Sequence, residues 1–339
     1  MTIRVGVNGF GRVGRNFVRA WLASGADIEV VAVNDLGDAA MNAHLLKYDT
    51  AQGRLDEEVL VEGDYLIVGG HKVAVLAEKE PSRLPWSDLG VEVVVESTGR
   101  FTKRDAAAAH LSGGANRVVI SAPSGDADAT FVMGVNDGEF DRAKHVVVSN
   151  ASCTTNCFVP MVKVIDDAFG IAGGLMTTVH AYTNDQNVLD LFHKDPRRAR
   201  AAAANVIPTT TGAARATSLV LANMKGKLDG LALRVPVTCG SITDFTVMLP
   251  GEVEVDDVNG AFEKAAASGS LARVLQYSAD PIVSSDIVGN PSSCIFDSLL
   301  TMTQVVPGGT LAKVQGWYDN EWGYSNRLVD VVGVVGAGE

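Results

Sequence analysis

The sequence of 339 residues predicts an α/β protein with a doubly wound parallel sheet, followed by an α+β domain with a mostly antiparallel sheet. In the first half, apolar runs such as residues 93–95 and 146–148 lack polar alternation, which is typical of parallel strands buried on both faces. In the second half, longer strand-like segments lie among helices. This pattern indicates an antiparallel sheet with helices on one face.

Strands and helices are predicted to alternate in the first half. The predicted strands are 3–8, 28–33, 66–68, 72–76, 91–96, 117–121 and 145–149. The predicted helices are 12–23, 39–46 and 103–111. In the second half, a helix is expected from Cys153 onward, and Pro160 should kink it or lie near its first turn.

The remaining predictions concern residues 174–335. The predicted strands are 174–181, 230–236, 241–249, 295–297, 299–303 and 310–318. The predicted helices are 212–221, 255–267, 271–275 and 321–335. Residues 182–211 are predicted to be irregular, and a loop of that length is usually functional.

A glycine-rich turn lies between the first predicted strand and the first helix. Gly9 permits the tight turn, Gly11 allows backbone to approach a pyrophosphate, and Gly14 allows close packing of helix and strand. Asp35, at the end of the second strand, can accept hydrogen bonds from the adenosine ribose and would repel a 2′-phosphate. The unit therefore predicts a Rossmann-type domain that binds NAD rather than NADP. The alternative is an ordinary βαβ turn.

Cys153 follows a predicted buried strand and begins a predicted helix. The helix dipole and free N–H groups at that position stabilise a thiolate. His180 stands near the end of a later strand, from which an imidazole can reach a thiol and take its proton. Each residue alone has a simpler explanation: a capped helix beside a small buried thiol, and a surface or core histidine.

Two features indicate a phosphorylated substrate. Arg234 closes a predicted strand, and residues 209–212 offer hydroxyl and N–H groups to an anion. The irregular segment is also rich in basic residues, which a solvated or subunit-contacting loop would explain equally well. These residues are Lys194, Arg197, Arg198 and Arg200.

Composition narrows the class of protein. A net charge of −12 argues against non-specific nucleic-acid binding, which needs a basic surface. No apolar stretch approaches the ~20 residues of a membrane span, and the start of the chain is unlike a signal peptide. The four cysteines are expected to be reduced, and no further ligand at suitable spacing indicates a metal site. A cytoplasmic enzyme is therefore expected.

Five stretches together resemble the phosphorylating glyceraldehyde-3-phosphate dehydrogenases, and the resemblance covers nearly the whole chain. The stretches are 8–15, 151–157, 180–183, 208–212 and 317–324. The resemblance implies a glycolytic oxidation of D-glyceraldehyde 3-phosphate to 1,3-bisphosphoglycerate with NAD and inorganic phosphate. The implied path runs through a thiohemiacetal and a thioester on Cys153.

The resemblance also implies roles for single residues, with Cys153 as nucleophile and His180 as base. The implied cofactor-binding residues are Gly9, Gly11, Arg12, Val13, Gly14, Asp35, Lys79, Ser121 and Asn320. The implied substrate- and phosphate-binding residues are Ser152, Thr154, Thr183, Arg198, Thr211, Gly212 and Arg234.

The implied domains are an NAD-binding domain over 1–152, completed by a C-terminal helix at about 321–335, and a catalytic domain over 153–320. The segment 182–211 would be the family's S-loop, which lies against a neighbouring subunit's cofactor site in a homotetramer. Lys79, Phe192 and Pro196 depart from commoner residues of the family, which affects expectations for cofactor affinity and loop packing.

Three other functions stay open. Erythrose-4-phosphate oxidation uses similar residues, with water as the acyl acceptor. A cysteine–histidine hydrolase would need no NAD, and a non-catalytic NAD-binding protein would need no nucleophile.

Overall fold

The computed structural model describes residues 2–337, which form two compact units. The first unit holds residues 2–131, 136–152 and 325–337, and the second holds 132–135 and 153–324. Among the described residues, no helix is long and apolar enough to cross a bilayer.

The first unit contains the parallel strands that the sequence predicts. Its strands are β1 (Ile3–Asn8), β2 (Ile28–Asn34), β3 (Tyr48–Asp49), β4 (Gly53–Arg54), β5 (Val59–Glu62), β6 (Tyr65–Val68), β7 (His71–Leu76), β8 (Val93–Glu96), β9 (Arg117–Ile120), β10 (Ala129–Thr130) and β11 (Val147–Ser149). Its first helices are α1 (Arg12–Ser24), α2 (Ala39–Lys47), α3 (Arg104–Ala107) and α4 (Ala109–Ser112).

Nine of these strands form one sheet, in the order β10-β11-β9-β8-β1-β2-β7-β6-β5. The pairs from β10 to β7 are parallel, and β6 and β5 extend the sheet as antiparallel strands. The central strands are buried on both faces, as the uninterrupted valine runs predicted. Because the parallel strands all point the same way, Asn8, Asn34 and Glu96 end side by side at one edge.

The second unit is built on a sheet of eight strands. Its strands are β12 (Gly173–Ala181), β13 (Ile207–Thr210), β14 (Leu228–Val235), β15 (Ser241–Leu249), β16 (Leu275–Ser278), β17 (Cys294–Asp297), β18 (Met302–Val306) and β19 (Gly309–Tyr318). Its helices are α5 (Cys153–Phe169), α6 (Ala213–Ala216) and α7 (Val255–Ala267). Helix α8 (Trp322–Gly336) ends the chain's regular structure, and its residues from 325 onward belong to the first unit.

Most neighbours in this second sheet are antiparallel, which confirms the predicted architecture. Residues of β15 alternate strictly between buried and half-buried, because one face of the sheet is covered. Helix α5 packs against β15, β17 and β19. Pro160 lies inside α5, away from its first turn. On the uncovered face, Leu175, Leu231 and Leu311 are exposed.

Two predicted helices are shorter than expected. The predicted helix 103–111 is interrupted at Ala108, where the hydrogen-bond pattern tightens: the N–H of Leu111 donates to the Ala108 carbonyl. The predicted helix 212–221 ends as α6 at Ala216 and continues as a 3₁₀ turn. There the Thr217 and Ser218 hydroxyls bond to backbone carbonyls and compete with the helical pattern.

Three further predictions in the second unit are wrong. Residues 271–275 form a 3₁₀ turn followed by β16, because Leu275 pairs with Cys294 in parallel β17. The predicted strand at 299–303 starts only at Met302, since the Asp297 carboxylate caps a 3₁₀ turn at Ser298–Leu300. The segment 182–211, predicted to be irregular, contains β13 at its end.

Candidate active site

The glycine-rich turn lies between β1 and α1 and has the geometry expected of a phosphate cradle. Gly9 has a φ of +95°, a conformation that L side chains rarely adopt. A side chain at Gly14 would collide with the carbonyl of Gly9, whereas a Cβ added at Gly11 would meet nothing within 4 Å. The backbone at Gly11 is therefore open to approach by a ligand, and the turn can hold a dinucleotide.

Asp35 follows β2 and is tied to this turn. One carboxylate oxygen accepts a hydrogen bond of 2.7 Å from the Phe10 N–H, and the other lies 3.4 Å from the Gly37 nitrogen. The side chain is half-buried. The weakly engaged oxygen is available to a ribose hydroxyl, and the carboxylate charge disfavours a phosphate at the same position.

Arg12 is held by a residue that the sequence reasoning missed. Its guanidinium forms a two-pronged ion pair with the nearly buried Asp49 carboxylate. Burial opposes ionisation of Asp49, but hydrogen bonds from Arg12 and from the N–H groups of Gln52 and Ala51 lower its pKa. Nothing local in the sequence marks Asp49, because it lies 37 residues from Arg12.

Cys153 is the first residue of α5, as predicted. Two residues earlier, Ala151 has a φ of +54°, and among the described residues it is the one non-glycine residue with a positive φ. The Ser149 hydroxyl accepts a hydrogen bond from the Ala151 N–H at 3.0 Å. This unusual backbone immediately precedes the candidate nucleophile.

Cys153 and His180 lie together in the second unit. The Cys153 Sγ is 3.4 Å from the His180 Nε2. His180 lies near the end of β12, where it pairs in register with Arg234 of the parallel strand β14. Arg234 thereby reaches His180: its Nη1 is 2.5 Å from the His180 Nδ1 and 3.0 Å from the Ala181 carbonyl oxygen.

The contacts of His180 allow two tautomers. If Nδ1 carries the proton, it donates to the Ala181 carbonyl at 2.6 Å, and Nε2 is free to accept the Cys153 proton. If Arg234 donates to Nδ1, then Nε2 carries the proton and donates to the sulfur. The first tautomer lets His180 act as a general base toward the thiol, and the second lets it donate a hydrogen bond to a thiolate.

The electrostatics of the pair combine burial and charge. Burial raises the pKa of the Cys153 thiol, while the charge of Arg234 and the hydrogen bonds of Thr154 act in the opposite direction. The hydrogen bonds at the start of α5 thus lower the pKa of the thiol as expected, but burial raises it by more. Burial and the charge of Arg234 lower the pKa of His180 to about 3, so its imidazole is a neutral base at pH 7.

Tyr318, at the end of β19, is a second residue that the sequence reasoning did not single out. Its hydroxyl lies 2.9 Å from the Thr154 Oγ1 and 2.8 Å from the Thr178 Oγ1, and its ring packs edge-on against His180. Tyr318 is 1% exposed, and burial raises its pKa. It therefore stays a neutral hydroxyl that holds β12 and the first turn of α5 together. The sequence feature that could have identified Tyr318 is its place in the stretch 317–324.

Other predicted residues have partners elsewhere in the second unit. The N–H and the hydroxyl of Thr183 both donate to the side-chain oxygen of Gln186, and the Arg198 guanidinium lies against Asp185 and Thr209. The side-chain oxygen of Asn320 accepts hydrogen bonds from the Gly240 N–H and the Ser241 hydroxyl, each at 3.1 Å.

The remaining predicted residues take the following positions. The Thr211 hydroxyl accepts from the Ala213 N–H at 3.2 Å, and Gly212 precedes α6. Ser121 follows β9, and its N–H donates to the Glu96 carbonyl. Ser152 is half-buried before α5, Val13 is half-buried in the first turn of α1, and Lys79 is exposed after β7.

A parallel sheet with an open glycine turn, and a second unit that carries a cysteine–histidine pair, define a dinucleotide-dependent dehydrogenase. Two family models match the chain: the glyceraldehyde 3-phosphate dehydrogenase NAD-binding domain over residues 3–104, and the C-terminal domain of the same enzymes over residues 152–320. The chain belongs to the glyceraldehyde-3-phosphate dehydrogenase family.

Similar proteins extend over the full length. A glyceraldehyde-3-phosphate dehydrogenase of Streptomyces coelicolor is 62% identical over 336 residues, which cover 99% of each chain. Proteins of the same name from Mycobacterium avium and Mycobacterium tuberculosis are 59% and 58% identical, each over 99% of both chains. The family and the NAD-binding domain predicted from sequence are thereby confirmed.

Proposed function

We propose that this protein oxidises D-glyceraldehyde 3-phosphate to 1,3-bisphosphoglycerate with NAD and inorganic phosphate, in glycolysis or its reversal. The observation that carries the proposal is the Cys153–His180 contact of 3.4 Å with Arg234 beside it. A thiol beside a neutral base can add to an aldehyde carbon, and a cation next to that pair suits a phosphorylated aldehyde.

In the proposed mechanism, the Cys153 sulfur attacks the aldehyde carbon while its proton passes through His180 to the aldehyde oxygen, which gives a thiohemiacetal with a hydroxyl group and leaves His180 neutral. His180, neutral again, takes the hydroxyl proton as hydride leaves that carbon, so that a thioester forms on Cys153. NAD, held by the turn from Gly9 to Gly14, would supply the acceptor for that hydride. Phosphate then attacks the thioester carbonyl, the C–S bond breaks, and Cys153 leaves as the thiolate with an acyl phosphate as product.

The other residues have supporting roles in this proposal. The turn from Gly9 to Gly14, with Arg12 and Val13, holds the pyrophosphate, and Asp35 holds the adenosine ribose. Further cofactor contacts are assigned to Lys79, Ser121 and Asn320. Substrate and phosphate contacts are assigned to Ser152, Thr154, Thr183, Arg198, Thr211, Gly212 and Arg234.

The test is NADH formation from glyceraldehyde 3-phosphate, with and without inorganic phosphate, and with NADP in parallel. We expect sustained turnover only with NAD and phosphate together. Cys153→Ser should abolish oxidation while NAD still binds. The matched control is Cys239→Ser, since the Cys239 thiol donates to Asp319 and a serine hydroxyl can make the same hydrogen bond. Faster phosphate-independent turnover of erythrose 4-phosphate would overturn the proposed substrate and acceptor.

We also propose the domain division that the sequence predicted, with residues 1–152 and the helix at about 321–335 binding NAD and residues 153–320 carrying catalysis. The two compact units support it. NAD should protect the first segment from proteolysis in the full chain, and uniform protection of both segments would argue against the division.

A cytoplasmic homotetramer is the proposed assembly. Its support is the segment 182–211, in which Val188, Leu189, Leu191 and Phe192 are all at least 69% exposed. Apolar side chains clustered in this way usually mark a protein interface. Light scattering after size exclusion should give four times the chain mass of 35.6 kDa, and Phe192→Asp should lower it. A monomeric native protein, or recovery in a membrane fraction, would contradict this proposal.

A further inference from the structure

A buried polar network lies beneath the glycine-rich turn of the first unit. Its centre is Glu96, the last residue of β8, which is 2% exposed. One carboxylate oxygen accepts from the Asn8 amide at 2.6 Å and lies 3.0 Å from the His110 Nε2. The other oxygen contacts the Thr98 N–H at 2.8 Å and the Thr98 hydroxyl at 2.5 Å.

The tautomer of His110 follows from its second nitrogen. The Trp86 indole N–H lies 3.0 Å from the His110 Nδ1, and an indole nitrogen can only donate. Nδ1 must therefore accept, so the ring proton is on Nε2 and points to Glu96. His110 is completely buried, which leaves it no water to bond with instead. Every group that faces the Glu96 carboxylate consequently donates to it.

The network continues from Glu96 to the dinucleotide turn. Asn8 and Asn34 are register partners, and the side-chain oxygen of Asn8 accepts from the side-chain amide of Asn34 at 2.7 Å. The Asn34 side chain in turn holds both backbone groups of Glu78, the residue before Lys79, at 2.8 Å. Gly9, the first glycine of the turn, donates its N–H to the Asn34 carbonyl.

The second arm of the network runs along the chain itself. Glu96 fixes Thr98, and the intervening Ser97 donates its hydroxyl to the Gly9 carbonyl at 2.6 Å. The Ser97 N–H also donates to the Asn8 carbonyl. A Cβ on Gly9 would lie 2.6 Å from the Thr98 nitrogen, so the two segments pack without space between them. Movement of Thr98 is therefore transmitted to the turn.

We propose that Glu96 is a positioning residue for NAD binding, which fixes the glycine turn through Asn8 and Thr98. This inference rests on the proposed assignment of that turn to NAD. Glu96 orients the Asn8 amide, the Asn8 amide orients Asn34, and Asn34 holds the segment that carries Lys79. The four donors around one carboxylate leave a single hydrogen-bond arrangement, so the cradle is formed before the ligand arrives.

The test substitution is Glu96→Gln, which keeps the shape and replaces one acceptor oxygen by an NH₂ group. In either orientation the amide NH₂ faces a donor: the Asn8 amide and His110 on one side, or the Thr98 N–H on the other. This contact between two donors is relieved only if Asn8 or Thr98 moves. NAD can then bind only when that movement is reversed, which weakens its binding. We expect the Kd and KM for NAD to rise about tenfold, with kcat at saturating NAD within about twofold of the native value.

A second substitution tests the cause of that loss. Trp86→Phe removes the indole N–H, so His110 can carry its proton on Nδ1 and accept the new amide at Nε2. Against Trp86→Phe alone, Glu96→Gln should therefore raise the Kd by clearly less than tenfold. This comparison also keeps the test available if Glu96→Gln alone does not fold. An equal loss in both backgrounds would overturn the inference.

The matched control is Asp128→Asn, which removes another largely buried carboxylate of the same unit. Asp128 accepts from Val146, Val147 and Arg104 and has no hydrogen bond with the Glu96 network. We expect its Kd for NAD to stay within about twofold of the native value. An unchanged Kd in Glu96→Gln, or an equal rise in Asp128→Asn, would overturn the positioning role. Native protein that binds no NAD would instead overturn the proposed function.

Discussion

Replacement of His180 by asparagine tests the proposed base directly. In the native protein the imidazole lies 3.4 Å from the Cys153 sulfur and is neutral at pH 7, because its pKa is lowered to about 3. An asparagine amide has no comparable basicity. The thiol must then ionise alone, and burial holds its pKa above its ordinary value of 9.0.

The magnitude follows from these two observations. A thiol with a pKa of 9 or more is at most about 1% thiolate at pH 7, and each further unit lowers that fraction tenfold. General-base assistance typically contributes about 10²–10⁴-fold. We therefore expect His180→Asn to lower kcat, and the rate of Cys153 alkylation by iodoacetamide at pH 7, by at least about 100-fold.

The assay is the alkylation rate between pH 5 and 10, with the modified cysteine identified by mass spectrometry. In His180→Asn the rate should climb about tenfold per pH unit up to pH 9, because only the free thiolate reacts. The control is His44→Asn, an exposed histidine of α2, which should keep the native profile. A variant that alkylates at the native rate with the native pH profile would refute the reasoning.

Three other perturbations have defined outcomes. Tyr318→Phe removes the hydroxyl shared by two buried threonine hydroxyls and should lower the unfolding free energy by about 1–3 kcal/mol in urea titrations; no change would contradict that role. Gly316→Ala should cost about 1–3 kcal/mol, since the new methyl would lie 2.6 Å from the Cys294 sulfur, and an unchanged Tm would exclude this crowding. Burial opposes ionisation of Asp128, but hydrogen bonds from Val147 and Arg104 lower its pKa, so its stabilisation is present above about pH 4 and is lost as the pH falls through the lowered value. Asp128→Asn should therefore flatten acid unfolding below pH 4, and a curve as steep as that of the native protein would contradict the sign.

The fold could be predicted where a local pattern is long enough to decide it. The bounds of β1, β15 and α7 match the predictions, because each has a continuous run or a strict period over six residues or more. The four-residue strands β13 and β16 were missed, since they are stabilised by pairing with β14 and β17 rather than by any pattern of their own. Side-chain competition at Thr217 likewise has no periodic signature.

The candidate site likewise contains residues that could be identified from the sequence and residues that could not. The glycine turn is a local motif, and its steric reasons could be read directly from the sequence. Cys153 and His180 could be singled out by their positions at element ends, but their contact could not, because it depends on strand pairing. Asp49 carries no local mark, and Tyr318 is marked only by its place in the stretch 317–324. Their partners, Arg12 and Thr154, lie 37 and 164 positions away.

Strand register is what brings the candidate catalytic groups together. His180 and Arg234 are partners in the parallel pair β12–β14, and a slip of one residue would turn either side chain to the other face. Near the opposite end of the same pair, a Cβ on Gly230 would collide with the Met176 carbonyl, and one on Gly174 would lie 2.6 Å from the Phe245 ring. Only glycine permits the observed approach there. The residues that fix the position of Arg234 against His180 therefore include glycines four or more positions from the chemistry, which a search for reactive side chains passes over.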